Sequence, residues 1–157
     1  MAVLIRTERL ERRSIRIDVI RKRALRMLQI LPVPPHAELS VLLCEDAQIR
    51  ILNREFRGID APTDVLAFPM HDLTSPIQEQ GSCSVLPSPI LGDVAISIGT
   101  SRRQAQQQGR SLSSEVTMLL AHGLLHLIGY DHRTAEEESV MTKETERLCA
   151  AACLSRP

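Results

Sequence analysis

The segment HGLLHLIGYDH, residues 122–132, places three of the chain's five histidines within eleven residues. Residues four apart lie one turn apart on the same helix face, so His122 and His126 can reach one ion. Gly129 tolerates the positive φ of a helix C-terminal turn, after which the chain can bring His132 back towards the first two. The leucines and isoleucine among the histidines predict a helix that is buried on most sides.

Three neutral imidazoles with one open coordination position are typical of a catalytic zinc site. Histidines buried without a partner would carry a large desolvation cost, which favours a shared ion. Structural zinc sites usually have four protein ligands, often cysteines, and no cysteine lies near this motif. We therefore expect one Zn²⁺ bound by His122, His126 and His132, while nickel and copper remain alternatives that also accept imidazoles.

The same histidine spacing occurs in zinc proteases, where a glutamate after the first histidine acts as general base. Here that position is Gly123, which cannot accept a proton. The sequence therefore disfavours a protease and leaves the general base unassigned. Asp131, beside the third histidine, is one candidate, and a role in orienting a ligand is the alternative for it.

Outside this motif, the sequence predicts an α+β fold in which a small mixed sheet packs against several helices. The metal-binding helix lies in the C-terminal half. The predicted strands cover residues 2–5, 38–44, 63–68 and 93–98, and the predicted helices cover residues 15–30, 45–57, 99–108, 111–128 and 134–153. Proline and glycine residues within 70–90 predict a long exposed loop.

The length of 157 residues, with 43% hydrophobic and 24% charged side chains, predicts one globular domain over residues 1–157. No apolar run in the sequence approaches the roughly 18–20 residues that cross a bilayer. The first residues also lack the pattern of a secretory signal. We therefore expect a cytoplasmic protein without a membrane partner.

The net charge is zero, but its distribution is uneven. Residues 1–26 hold nine Lys or Arg against three Asp or Glu. Such a basic end is either a binding surface for a polyanion or a solvated helix face. The aromatic content of 2% argues against binding single-stranded nucleic acid by stacking bases on aromatic side chains.

The motif HGLLHLIGYDH resembles the signature of the YbeY family of bacterial endoribonucleases, also described as ribosomal RNA maturation factors. NREFRGIDAPTDVLAFP (residues 53–69) and LGDVAIS (residues 91–97) resemble family segments in the same order. Downstream, the acidic run and methionine of residues 136–141 are similar to the start of the family's last helix. The resemblance covers residues 45–150, and Ala67 stands where the family usually has serine.

This resemblance implies a zinc-dependent hydrolase that cleaves single-stranded RNA and matures small-subunit (16S) ribosomal RNA during ribosome biogenesis. It implies zinc at His122, His126 and His132, with His132 also catalytic, and a catalytic role for Arg57. A guanidinium can bind two non-bridging phosphate oxygens and stabilise the charge that accumulates on them. The basic N-terminal region would help to hold RNA or ribosomal particles.

Several alternatives stay open from the sequence. The protein can be a ribosome-assembly factor whose metal is structural, and a zinc protease is the less favoured option. Either water or the ribose 2′-hydroxyl can attack the phosphate. Thr63, Asp64 and Asp93 lie in matched segments, and we expect them to form turn or cap hydrogen bonds rather than to catalyse.

Overall fold

The computed structural model describes residues 1–10, 14–70 and 90–153. In these ranges the strands are β1 (Ala2–Thr7), β2 (Glu38–Cys44), β3 (Val65–Pro69) and β4 (Ile90–Ser97). The helices are α1 (Ile17–Ile30), α2 (Asp46–Arg57), α3 (Ile98–Gln108), α4 (Leu112–Leu127) and α5 (Ala135–Cys153). Each helix and strand predicted from the sequence is present.

Strand β4 begins at Ile90, three residues before its predicted start at residue 93. The sequence signal is weak there because Gly92 is a poor strand residue. Gly92 has a φ of +140°, and it pairs with Leu39 on one side and with Pro69 on the other. Most of the loop predicted over residues 70–90 lies outside the described residues.

The four strands form one mixed sheet in the order β1-β2-β4-β3. Strands β1, β2 and β4 run parallel, and β3 pairs antiparallel with β4 at one edge. In the register of the sheet, Val94 lies between Val41 on β2 and Ala67 on β3. Because parallel neighbours need a crossover, α1 connects β1 to β2. The predicted α+β class is confirmed.

The alternation of side chains along the strands divides the core between the two faces of the sheet. Helices α1, α4 and α5 cover one face, where they bury Val41 and Val94 in the main core. Helix α2 covers the other face, where Ile49 packs against Leu66 and Ala95 in a smaller cluster. Helix α4 therefore lies directly against the sheet, which brings its histidines close to β3.

Two arginines of the basic N-terminal region join α1 to the other helices. Arg23 donates hydrogen bonds to the Ser113 carbonyl at 3.1 Å and to the Thr117 hydroxyl at 2.7 Å. Arg26 donates to the Ala152 carbonyl near the end of α5 at 2.9 Å. These two cations hold helices together, so the charge of residues 1–26 is only partly available to a polyanion.

The described helices are too short or too polar to span a membrane. Within residues 1–10, 14–70 and 90–153, none combines the length and the apolar character that crossing a bilayer needs.

Candidate metal centre

The last turns of α4 place two histidine rings side by side. The Nε2 atoms of His122 and His126 lie 3.1 Å apart, and both side chains are half-buried. One nitrogen of each ring and one nitrogen of His132 all lie within 4.8 Å of one another. Two nitrogens bound to one tetrahedral zinc ion at about 2.0–2.1 Å are roughly 3.3 Å apart. The spacing of the first pair therefore fits a shared ion.

The turn after α4 returns His132 to the other two histidines. Gly129 has a φ of +97°, and its N–H donates to the His126 carbonyl at 3.1 Å. The Tyr130 N–H then donates to the Leu125 carbonyl at 3.0 Å, which closes the helix end. The ring centre of His132 lies 5.2 Å from that of His126. The role predicted for Gly129 is confirmed by this geometry.

The loop that carries the third histidine is held by a carboxylate. Asp131 Oδ1 accepts a hydrogen bond from the His132 backbone N–H at 2.8 Å, and Oδ2 pairs with Arg133 Nε at 2.6 Å. The backbone hydrogen bond and the nearby Arg133 charge lower the pKa of Asp131. These contacts suit a residue that orients the loop, which is the second of the two roles weighed for Asp131.

The surroundings of the two α4 histidines favour their neutral form. Burial lowers the pKa of His122, the His132 charge lowers it further, and the Asp64 carboxylate opposes both. Burial likewise lowers the pKa of His126, with the charges of His122 and His132 acting in the same direction. Because metals bind neutral imidazole, the lowered pKa values of His122 and His126 favour metal binding by these two side chains.

Gly123 lies where a zinc protease would carry its general base, but this position faces the sheet. A Cβ atom added to Gly123 would lie 2.7 Å from Val94 Cγ1 and 3.4 Å from Val65 Cγ2. Only glycine allows α4 to approach β3 and β4 this closely. A glutamate here could not serve the histidines, since its side chain would begin inside the helix–sheet contact. The geometry therefore adds a reason against protease chemistry.

A cavity of about 570 Å³ joins the histidines to Arg57. Its lining includes all four residues predicted for the site, which are Arg57, His122, His126 and His132. Arg57 is the last residue of α2 and is exposed to solvent. Ala67, where the sequence analysis found a departure from the resemblance, also lines this cavity.

The connection from α2 to β3 fixes where Arg57 lies. Gly58 ends the helix with a φ of +70°, as its position after the predicted helix suggested. The buried Asn53 donates from Nδ2 to the Ala61 carbonyl at 2.9 Å. Arg50 binds both carboxylate oxygens of Asp60, at 2.9 and 3.0 Å. These contacts join α2, before Arg57, to residues 60 and 61, after it.

The sequence analysis expected Thr63, Asp64 and Asp93 to form structural hydrogen bonds, and the structure places these residues in two different cavities. Asp64 accepts from the Val65 N–H at 2.7 Å and from Gln104 Nε2 at 3.1 Å, which are the structural contacts that we expected. However, Asp64 and Thr63 also line the histidine cavity, and the Asp64 charge acts on His122. Asp93 lies instead in a different cavity, beside Phe68 and Phe56.

Two residues of the cavity wall were given no role in the site by the sequence analysis. Tyr130 and the start of β3 at Val65 both line the cavity. Tyr130 lies within the motif, two residues before His132, and this position is the available signal for it. Val65 has no such signal, because its place depends on how β3 packs against α4.

Comparison with known proteins gives one family. The sequence model of the family described as endoribonuclease YbeY matches residues 5–152. A protein named endoribonuclease YbeY from Geobacillus thermodenitrificans is 41% identical over 127 residues, covering 79% of this chain and 78% of the relative. One with the same name from Synechococcus sp. strain JA-3-3Ab is 45% identical over 124 residues, covering 79% of this chain and 74% of the relative.

The fold also has a solved counterpart. The solution structure of TM1509 from Thermotoga maritima aligns with a TM-score of 0.61 at 21% identity, covering 96% of this chain and 88% of the other. At that identity, the likeness supports the fold alone. The family match and the curated relatives support more, since each covers most of the sequence, and the family match over residues 5–152 includes the histidine motif. The chain belongs to the endoribonuclease YbeY family.

Proposed function

We propose that this protein is a zinc-dependent endoribonuclease that cleaves single-stranded RNA at the centre formed by His122, His126 and His132. One observation carries the proposal, namely that three imidazoles converge on the cavity that Arg57 also lines. The curated relatives are named endoribonucleases, which supports RNA cleavage as the reaction.

The donor set of the centre fits zinc. Three imidazoles leave one position open in a tetrahedral site, and zinc accepts such ligands readily. When bound, zinc would polarise a phosphoryl oxygen or lower the pKa of an attacking water. His132 is the exposed ligand, while His122 and His126 are half-buried. We therefore propose that His132 also faces the substrate.

Arg57 supplies the second part of the chemistry. During displacement, negative charge accumulates on the non-bridging oxygens of the phosphodiester, and a guanidinium can bind two of them in parallel. Arg57 is exposed at the wall of the histidine cavity, so a phosphate can reach it from solvent. Asp131 holds the His132 loop through its hydrogen bond to the backbone, and we assign it that positioning role.

The resemblance to ribosomal RNA maturation factors supports a biological substrate in small-subunit (16S) ribosomal RNA or in ribosomal particles. It also supports a cytoplasmic location and a role in ribosome biogenesis. We further propose that residues 1–157 act as one domain, and the extent of the family match, residues 5–152, supports this assignment.

The test compares the wild-type protein with His126→Ala, purified in parallel, on an end-labelled single-stranded RNA. We expect the variant to cleave at least about 100-fold more slowly, because a bound metal contributes several kcal/mol to such reactions. Metal removal should abolish wild-type cleavage, and added zinc should restore it. Metal content per chain, measured on both proteins, should fall from one zinc ion to none.

Other outcomes distinguish the alternatives. Equal cleavage by both proteins would trace the activity to a contaminating ribonuclease. Retained zinc and zinc-dependent thermal stability, without RNA cleavage, would indicate an assembly factor with a structural metal. Cleavage of unfolded peptides that His126→Ala abolishes would indicate a protease. The product ends identify the nucleophile, since a 5′-phosphate indicates water and a cyclic phosphate indicates the ribose hydroxyl.

A further inference from the structure

A second cavity leaves the histidine centre in another direction, between α4 and α5. We call it the α4–α5 groove. Its volume is about 850 Å³, compared with about 570 Å³ for the cavity beside Arg57. The two cavities share four lining residues, which are Asp64, Val65, His122 and His132. The metal centre therefore lies where two continuous spaces meet.

This continuity matters for an endonuclease. The enzyme cleaves inside a strand, so the nucleotides on both sides of the scissile phosphate must have room. A phosphate held between the histidines and Arg57 would lie in the first cavity, and the strand would continue beyond it. The α4–α5 groove is a second space beside two of these histidines, His122 and His132.

The chemistry of the groove differs from that of a phosphate-binding surface. Its lining includes one arginine, Arg110, against the carboxylates of Asp64, Glu138 and Glu146. The Arg110 guanidinium is 3.6 Å from Glu115, a carboxylate that is only 2% exposed. Glu115 offsets the charge of this cation and three further carboxylates line the groove, so the groove has little positive charge to offer a phosphate chain.

The groove instead suits bases and riboses. Met118 and Cys149, which are half-buried, and the exposed Ala150 supply apolar surface, and methionine adapts well to irregular partners. Hydroxyls such as that of Thr142, and the carboxylate of Glu146, supply hydrogen-bonding groups. Single-stranded RNA is commonly recognised in this way, through base faces, base edges and the 2′-hydroxyl.

We propose that the α4–α5 groove binds the bases and riboses of the RNA segment that lies beyond the scissile phosphate from Arg57. The inference rests on the proposed function, because it assumes that RNA occupies the histidine centre. It assigns α5 a substrate-binding role in addition to its packing role.

The test fills the groove with a tryptophan. Thr142 is exposed and lines the groove, whereas Val140 is 50% exposed and does not line it. The two side chains have nearly the same shape and lie on opposite sides of α5, since they are two residues apart. Thr142→Trp is therefore compared with Val140→Trp as a matched control. Ala150→Trp provides a second groove variant farther along the helix.

We expect Thr142→Trp to raise KM for a long single-stranded RNA about tenfold or more with little change in kcat, while Val140→Trp stays within twofold of the wild type. The KM ratio should be the same at low and high salt, because few phosphate contacts are involved. Cleavage sites are first mapped with the wild type, and the RNA is then shortened from each end. Shortening one end should raise the wild-type KM and remove the difference between the two variants.

Equal KM values for Thr142→Trp, Ala150→Trp and Val140→Trp, in proteins of equal thermal stability, would overturn the proposal. A KM effect that disappears at high salt would also overturn it, because it would indicate phosphate contacts. If the zinc-loaded wild type cleaves no RNA, the proposed function fails. The inference about the groove is then tested by RNA binding, measured by fluorescence anisotropy with the same RNA. Binding lost only in the groove variants would support it, and equal binding would contradict it.

Discussion

The histidine centre and the network around Asp46 are two polar clusters with opposite designs. Asp46 Oδ1 accepts from the Ser97 and Thr100 hydroxyls at 2.5 and 2.6 Å, and Oδ2 accepts from Arg103 at 2.7 Å. Its charge is satisfied by the protein itself. In the histidine centre, three ring nitrogens face one another at an open cavity.

The two clusters contribute to different properties of the protein. In a closed network, the hydrogen bonds and ion pairs contribute to the free energy of unfolding. A set of convergent ligands gains its interaction energy only when an ion arrives, and before that it is neutral or costly for folding. Changes at the Asp46 network should therefore affect stability, and changes at the open centre should affect activity.

The most damaging substitution should be one that disrupts the packing on which the open centre depends. Gly123→Glu inserts a side chain where even a Cβ atom would lie 2.7 Å from Val94 Cγ1. Overpacking and an unpaired buried carboxylate together should lower the free energy of unfolding by at least about 4 kcal/mol. Thermal unfolding followed by circular dichroism checks this result, and Gly123→Ala should lose less. A stable Gly123→Glu protein that digests peptides would contradict the assigned packing and revive protease chemistry.

A substitution of Arg57 should lower activity without lowering stability. Arg57→Ala should lower kcat for RNA cleavage by about 10²–10³-fold, as removal of one group that stabilises transition-state charge typically does. Arg57 is exposed, so the melting temperature should stay within a degree or two of the wild type. Arg57→Lys is the control, because it keeps the charge but loses the paired hydrogen bonds. An unchanged kcat in Arg57→Ala would show that Arg57 has no catalytic role.

The two clusters also differ in how far the sequence predicts them. The histidine centre could be predicted because its spacing is local: His122 and His126 lie on one helix face, and Gly129 marks the turn that returns His132. The order of helices and strands was predictable for the same reason, since hydrophobic periodicity and glycine or proline breaks act over short distances.

The remaining features depend on contacts between distant residues. Asp46 meets Ser97, Thr100 and Arg103, which lie more than 50 residues away and form no local motif. The sheet order β1-β2-β4-β3 and the α4–α5 groove likewise arise from packing of separate elements. Gly123 is an intermediate case, because the sequence showed a missing base but only the structure shows the contact with β3 and β4.

The mildest of these substitutions, Asp46→Asn, tests the network around Asp46. Burial alone would raise the pKa of Asp46, but hydrogen bonds from Ser97, Thr100 and Arg103 outweigh it and lower the pKa to about 2. Asp46→Asn keeps the shape of the side chain and removes its charge. We expect the free energy of unfolding at pH 7 to fall by about 1–2 kcal/mol, allowing for solvent screening, with kcat for RNA cleavage unchanged.

The pH dependence of the stability difference shows whether the charge of Asp46 is responsible for it. Because the folded protein lowers the pKa of Asp46 from the ordinary value of 3.8 to about 2, its contribution is complete well above pH 3.8 and is lost as the pH falls through this range. Denaturant unfolding of the wild type and Asp46→Asn, measured between pH 7 and pH 2, should show a stability difference that shrinks over this window. Asp60→Asn, which breaks an exposed pair with Arg50, serves as the control with a smaller effect. A stability difference that is constant down to pH 2 would show that the carboxylate charge is not what holds this cluster together.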